Sequence, residues 1–249
     1  MSALLRAELF KQRSTRTALG LLGMMLALVL FAVLLHGFGV GSEHADSATD
    51  QLTIVLGPGE RIGVLFAALL GAMSITAEIR HGTIRPTFLV TPRRGRVVAA
   101  KVSASILIGA GFGLLAGAAA AAVGTAAFQA RGIDVQLDGG DYVLLVAGTA
   151  GAASLWAAIG IGVGAVVRHQ VPTLIGLCAW ILFVEGLLVG DVADVTAIGR
   201  YAPGAAAAAT TGQDPDTLLA PAAALVLLAL YGAAAAVAGS LATSRRDVI

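Results

Sequence analysis

Long apolar stretches separated by short polar connectors run along most of the chain. A membrane-spanning helix needs about 20 mainly apolar residues, and six stretches approach or exceed that length. The pattern therefore predicts an all-α membrane protein with six transmembrane helices, forming one domain over residues 1–249 without a soluble domain. The predicted spans cover residues 17–38, 61–78, 97–128, 142–167, 171–189 and 217–242. The second is the shortest, and residues 52–56 before Gly57-Pro58-Gly59 are a candidate for a broken extension of it.

The composition supports a membrane location. Hydrophobic residues make up 57% of the chain and charged residues only 12%, with a mean hydropathy of +0.88. A soluble domain carries about 25% charged residues, so lipid is the expected solvent for most of this surface. The first apolar run is too long for the apolar region of a signal peptide, and we expect it to be retained as the first span.

The basic residues predict the orientation. Thirteen of the sixteen fall on one side of the six-span arrangement. They are Arg6, Lys11, Arg13, Arg16, Arg80, Arg85, Arg93, Arg94, Arg96, Lys101, Arg168, Arg245 and Arg246. Because cytoplasmic loops are rich in lysine and arginine, we expect both termini and residues 79–96 to be cytoplasmic, with residues 39–60 and 190–216 outside. The Ala, Gly and Arg bias is typical of a GC-rich bacterium, so the expected location is a bacterial inner membrane.

Glycines recur every four residues in two of the predicted spans. They are Gly109, Gly113 and Gly117 in the third span, and Gly160 and Gly164 in the fourth. Small residues at this spacing let helix backbones approach closely in lipid, so these five are candidate helix-packing positions. The alternative is coincidence, since the chain contains 32 glycines.

Sequence motifs for several classes of activity are absent. The chain has no P-loop, no H-E-x-x-H and no G-x-S-x-G motif. Its four histidines stand at span ends or in connectors. The arginines do not gather on a soluble segment, which argues against a nucleic-acid partner. We therefore expect a chain that is not an enzyme, with no catalytic residues, bound cofactor or metal site of its own.

The connector after the second predicted span has a defined helix pattern. Gly82 is suited to end that span in a left-handed cap. Thr83 can then cap a new helix, with Pro86 in its first turn, where proline costs little. Pro92 would end it. The connector therefore predicts a cytoplasmic helix of about two turns.

This short helix would have an apolar face. Ile84, Phe88 and Leu89 fall on one side of it by their helical spacing. Such a face either enters the lipid interface, with arginines contacting anionic lipid, or docks into a groove of a partner protein. The residues alone leave both possibilities open.

The order of motifs around this connector is similar to that of a known family. Glu78, Gly82-Thr83, Pro92 with a following basic pair, and Lys101 at the start of span three resemble the permease subunit of ABC-2 type transporters. A second region agrees: Glu185, followed by the segment Gly199-Arg200-Tyr201-Ala202-Pro203-Gly204, resembles the E…Y-x-P-G pattern of many members.

The resemblance implies a specific assembly and function. Two permease chains, identical or paralogous, would pair in the membrane, and each would bind a separately encoded ATPase subunit that holds ATP and Mg. Together they would export a hydrophobic or amphipathic substrate by alternating access. Residues 2–15 would form an interfacial helix. The coupling helix that contacts the ATPase would include Gly82, Thr83, Ile84, Arg85, Pro86, Thr87, Phe88, Leu89 and Thr91.

Charged and aromatic residues at the span ends are candidates for the gates. They are Glu78, Lys101, Glu185, Arg200 and Tyr201. A buried carboxylate in a span favours a protein partner, so we expect Glu185 to pair with Arg200 or Arg61 and help seal the outward gate, unless it extends to the lipid interface. The alternative function is an ion- or proton-coupled carrier, or a membrane-embedded enzyme, that uses Glu78 or Glu185.

Overall fold

The computed structural model describes residues 2–40, 45–83, 94–185 and 196–245, and all regular structure in these ranges is helical. The chain is therefore all-α over its described residues, as predicted. The α-helices are α1 Ser2–Ser14, α2 Arg16–Leu35, α3 Ala48–Asp50, α4 Gly57–Arg80, α5 Arg94–Arg131, α6 Gly139–Val167, α7 Gln170–Ala179, α8 Thr196–Gly199, α9 Pro203–Ala209 and α10 Pro221–Arg245. Short π-helical segments extend α2 to Val40 and α7 to Val184.

Five helical segments of the described chain are long and apolar enough to cross a membrane. They are Arg16–Gly39, Ala48–Arg80, Gly95–Arg131, Gly139–Val167 and Pro221–Thr243. The predicted fifth span, residues 171–189, corresponds to a shorter apolar helix, Gln170–Val184, and its last residues lie outside the described ranges. The chain is thus a multi-pass membrane protein, and five of the six predicted spans correspond to helices of full membrane-spanning length among the described residues.

The second span is longer than predicted and is not broken at Gly57-Pro58-Gly59. A π-helical segment, Gln51–Leu56, joins α3 to α4, so that one helix of 33 residues runs from Ala48 to Arg80. In an uninterrupted α-helix the ring of Pro58 would crowd the carbonyl four residues earlier. Here the wider π-helical turns directly before it change that hydrogen-bonding pattern, so the helix continues.

Helix α6 is the centre of the bundle and packs against α4, α5 and α10. On its α5 side, a Cβ atom at Gly109 or Gly113 would overlap the backbone of α6, and one at Gly117 would lie 3.1 Å from Val146 Cα. On its α4 side, a Cβ at Gly160 would overlap the carbonyl of Ala68. The glycine positions singled out in the sequence therefore lie where helix backbones come closest.

The bundle has two chemically different ends. The basic end contains α1, the last turn of α4, the first turns of α5 and α7, and the last turns of α6 and α10. The opposite end contains the first turn of α4, helix α9 and the first turn of α10. Helix α1 packs on α5 and α2 at the basic end, and α9 packs among α4, α6 and α10 at the opposite end.

Candidate functional site

Four alternating charges meet at the basic end, where α1, α4 and α5 converge. Lys101 Nζ lies 2.8 Å from both Glu8 Oε2 and Glu78 Oε1. Lys11 Nζ lies 3.2 Å from Glu8 Oε1 and 3.1 Å from Glu78 Oε1. The Lys101 and Glu8 side chains are only 1% and 3% exposed. We refer to Glu8, Lys11, Glu78 and Lys101 as the charge cluster.

Helix α1 is held in place by its polar face. Glu8, Lys11 and Gln12 share that face through i, i+3 and i+4 spacing, and the Gln12 amide donates to the Ser105 hydroxyl at 2.9 Å. Phe10, by contrast, is 73% exposed. The predicted N-terminal helix is therefore present, but it packs on the bundle through hydrogen bonds and ion pairs rather than through an apolar stripe.

Lys101 has all the partners that an ammonium group can use. In addition to the two carboxylates, its Nζ lies 3.4 Å from the carbonyl oxygen of Ser74. A lysine side chain has three N–H donors, and each has an acceptor here. A buried charge is tolerated when it is paired and hydrogen-bonded in this way, which explains how a lysine occupies a buried position on α5.

Lys11 forms the solvent-facing side of the charge cluster, with 49% of its side chain exposed. Partial burial alone would lower the pKa of Lys11, but the hydrogen bond and charge of Glu78, together with Glu8, outweigh it and raise that pKa above 10.5. Lys11 therefore places a second amino group beside the two carboxylates of the charge cluster.

The predicted coupling segment begins next to the charge cluster. Gly82 has φ +68°, the left-handed conformation predicted for the cap that ends α4. The Thr83 hydroxyl donates to the Glu78 carbonyl at 3.5 Å. The rest of the predicted coupling helix lies outside the described residues, including Ile84, Arg85, Pro86, Thr87, Phe88, Leu89 and Thr91.

A second carboxylate, Glu185, is buried at the opposite end, where it is 6% exposed. Its Oε1 accepts a hydrogen bond from Trp180 Nε1 at 2.5 Å and one from the backbone N–H of Gly204 at 2.8 Å. Glu185 thereby links the end of α7 to the start of α9. A Cβ at position 204 would overlap the carboxylate, so a larger residue there would displace the Glu185 side chain.

The structure shows no hydrogen bond or ion pair between Glu185 and either of the arginines predicted as its partners, Arg200 and Arg61, among the described residues. Arg200 donates instead to the Tyr201 hydroxyl at 2.9 Å and lies 4.9 Å from the centre of the Tyr201 ring. Arg61 is exposed and acts on Glu185 only through its charge. Because Trp180 and Gly204 already supply N–H donors to the carboxylate, an arginine is not needed to compensate its burial.

Glu60, which sequence reasoning missed, is buried near Glu185 and is 3% exposed. It lies near Gln213, Arg61 and Glu185. Gln213 donates to the Thr211 hydroxyl at 2.7 Å. Glu60 fell one residue outside the predicted second span, so it was counted as part of a loop. Its position directly before an apolar stretch was a signal in the sequence that it could be buried.

The described residues contain no group of three or more His, Cys, Asp or Glu side chains that could hold a metal ion. Glu60 and Glu185 at the opposite end, and the charge cluster at the basic end, contain the buried charged side chains of the described residues.

A comparison with protein families identifies the chain. The family described as ABC-2 family transporter protein matches residues 40–204, about two thirds of the chain. The chain belongs to the ABC-2 transporter family. No curated protein matches it.

The family assignment places the polar features in a functional context. Permeases of the ABC-2 family are typically non-catalytic membrane subunits that usually lack cofactors and generally pair with ATPase subunits. Glu78, Lys101 and Glu185 of this ABC-2 permease lie inside the matched region, whereas Glu8 and Lys11 precede it. The resemblance seen in the sequence is therefore confirmed.

The Glu185 contacts lead to a prediction about stability. Replacing Glu185 with Ala leaves the N–H groups of Trp180 and Gly204 without their acceptor, which costs about 1–3 kcal/mol per unsatisfied buried group. Arg200→Ala removes only exposed contacts and should change stability by less than about 1 kcal/mol. Thermal unfolding of the purified permease measures both. Equal losses in the two variants would contradict the bonding described for Glu185.

Proposed function

We propose that this chain is the transmembrane subunit of an ATP-driven exporter. Two permease chains, identical or paralogous, would assemble with two copies of a separate ATPase subunit, which bind ATP and Mg. The complex would move a hydrophobic or amphipathic substrate outward by alternating access. Membership of the ABC-2 family over residues 40–204 supports this function, as does an interior lined mainly by Ala, Gly and Leu.

The observation that carries the proposal is the position of the charge cluster. It joins α1, α4 and α5 within a few residues of Thr83, where the predicted coupling segment begins. If one carboxylate moved away from Lys101, the buried ammonium group would lose one of its two charged partners, which is costly in a buried site. A displacement of the coupling segment by an ATPase would therefore move the three helices as one unit.

The opposite end supplies the candidate outward gate. Glu185 ties α7 to α9, and α9 packs among α4, α6 and α10. Tyr201, stacked under Arg200, accepts at its carbonyl a hydrogen bond from the Tyr231 hydroxyl of α10 at 2.9 Å. In this proposal the α9 segment closes the pathway and opens when the helices beneath it move.

The proposed arrangement has six spans, with α7 and the residues after it forming the fifth. Both termini and residues 79–96 would be cytoplasmic, α1 would lie at the membrane interface, and the membrane would be a bacterial inner membrane. The support is the sequence pattern, in which thirteen of the sixteen basic residues fall on one side of the predicted six-span arrangement.

Reporter fusions test this orientation. A fusion at Asp46 should report the outside, because one span separates it from the cytoplasmic N-terminus. A fusion at Arg246 should report the cytoplasm, because six spans separate the two termini. A further fusion at Gly132 should match the one at Asp46. Equal signals at Asp46 and Arg246 would contradict the six-span topology.

The structure gives the alternative functions little support. An ion-coupled carrier or a membrane-embedded enzyme would use Glu78 or Glu185. Glu78 Oε1 is bonded to two lysines, and Glu185 is bonded to an indole N–H and a backbone N–H. Membership of the ABC-2 family also favours a transport subunit over either alternative.

A substitution in the coupling segment tests the proposed ATPase partner. If Ile84, Phe88 and Leu89 dock into an ATPase, Phe88→Asp should abolish its co-purification, because the contact would bury a carboxylate in an apolar groove at several kcal/mol. Thr87→Asp introduces the same charge beside that face and should retain most of the partner. Both variants should elute from a sizing column like the unmodified permease. Undiminished co-purification with Phe88→Asp would contradict docking through this face.

A further inference from the structure

A cavity of about 370 Å³ opens between α1, α2 and α4 at the basic end. Its volume is at the lower end of the range of about 300–1,000 Å³ that is typical of small-molecule sites. Polar side chains of α1 and α4, including Lys11 and Glu78, form one part of its lining, and Leu21, Leu70 and Met73 form another. The cavity is therefore amphipathic.

The polar and apolar parts of the cavity differ in depth. Leu70 precedes Glu78 by two turns of α4, which places it about 12 Å further along the helix towards the middle of the bundle. Leu21 likewise lies about one turn deeper on α2 than Thr17, which also lines the cavity. The polar groups are thus at the level where the spans begin, with the apolar groups beneath them. A lipid in one leaflet has the same order of head group and chain.

Only one oxygen of the Glu78 carboxylate takes part in the charge cluster. Its Oε1 contacts both lysines of the charge cluster, while its Oε2 is buried without a hydrogen-bond partner among the described residues. A buried carboxylate oxygen without a donor is costly. This oxygen has almost no accessible surface. A cation with N–H groups in the cavity that Glu78 lines would therefore supply the missing donor after the carboxylate rotates towards it.

The local charges select among lipid head groups. The cavity is lined by two carboxylates, Glu8 and Glu78, and by the half-exposed Lys11. Both Glu8 oxygens and Glu78 Oε1 are already paired with lysines, so Glu78 Oε2 is the remaining acceptor. A phosphate group alone has no donor for it. A choline group carries a positive charge but no N–H donor, so it cannot hydrogen-bond to Glu78 Oε2. A primary ammonium group has three donors, and a phosphate beside it could contact Lys11.

We propose that this cavity binds a membrane lipid with a primary-ammonium head group, of the phosphatidylethanolamine type. The ammonium donates to Glu78 Oε2, the phosphate lies next to Lys11, and the first carbons of one chain pack against Leu21, Leu70 and Met73. The bound lipid would complete the hydrogen bonding of the charge cluster from the membrane side. This inference does not depend on the proposed function.

Native mass spectrometry of the detergent-purified permease tests the site without any ATPase. The probes are phosphatidylethanolamine, phosphatidylcholine and phosphatidylglycerol with identical chains, added at equal concentration. We expect phosphatidylethanolamine to be retained at least several-fold more than either of the others. Ala77→Trp, which fills the cavity, should abolish the preference. Ala122→Trp, in a separate groove between α5 and α6, should leave it unchanged.

Two further variants keep the test decisive. Met73→Trp fills the same cavity from its apolar part and replaces Ala77→Trp if that variant does not purify. Glu78→Gln keeps the shape of the side chain but removes its charge, so retention of the amine lipid should fall to the level of phosphatidylcholine. Equal retention of the three lipids, a preference for phosphatidylglycerol, or a preference that survives cavity filling would overturn the proposal. If residues 84–93 of the chain itself filled the cavity, the three lipids would be retained equally.

Discussion

Lys101→Ala is expected to lower the free energy of unfolding by about 3–5 kcal/mol, the usual cost of removing one partner from a buried ion pair. The substitution leaves the carboxylates of Glu8 and Glu78 close together, with only Lys11 to balance them. Lys11→Ala is the matched control, because it removes the same ammonium group from a position that is 49% exposed. Its expected cost is at most about 1 kcal/mol.

Unfolding of the purified permease in a denaturing detergent measures both losses. A pair of substitutions separates the charge effect from lost packing. Lys101→Met combined with Glu8→Gln removes one charge of each sign, so it should cost less than Lys101→Met alone. Similar losses for Lys101→Ala and Lys11→Ala, or strictly additive losses in the paired variant, would contradict the charge cluster as described.

Gly160→Ala is expected to be among the most damaging single-methyl changes in the described bundle. A Cβ at this position would overlap the carbonyl oxygen of Ala68 and lie close to Ala72 N, both of them backbone atoms of α4. Backbone of a packed helix cannot rotate away as a side chain can, so α4 and α6 must separate. Overpacking of this kind costs about 1–3 kcal/mol or more.

Gly111→Ala on α5 is the control for Gly160→Ala, since a Cβ there would meet no atom within 4 Å. With open space available, the gain in helix propensity should leave the permease unchanged or more stable by about 0.5–1 kcal/mol. The same detergent-unfolding measurement applies. Comparable destabilisation by the two substitutions would mean that the close approach of α4 and α6 is not a determinant of stability.

Some features were predictable because they depend on neighbouring residues. Gly82 adopts the left-handed conformation expected at the end of α4 because a glycine after the last helical turn has few other roles. The long apolar stretches likewise became helices α2, α4, α5, α6 and α10. Glu78 and Lys101 were singled out by their place in a motif, although the motif did not indicate that they bond to each other.

The features that were missed depend on contacts between distant segments. Glu8 contacts Lys101 across 93 positions of the chain, and the mixture of Leu, Phe and charged residues in α1 gave no clear apolar face from which to place it. One signal was available: a lysine in an apolar span requires a buried acidic partner. For Glu185, the arginines expected on the same side of the membrane were the predicted partners, whereas the fold supplies the N–H groups of Trp180 and Gly204.

In the proposed exporter, movement at the basic end is transmitted through the charge cluster to the opposite end. The most direct test is a spin-label distance measurement between the two permease chains of the complex with its ATPase. The label would be at Asp134→Cys, an exposed site at the opposite end, in a background of Cys178→Ser. We predict that trapping the ATPase in its ATP-bound state shifts the distance distribution, and that Lys101→Met with Glu8→Gln abolishes the shift while the ATPase still binds. An identical distribution in the ATP-bound and nucleotide-free complexes, or an unchanged shift in the double variant, would contradict transmission through the charge cluster.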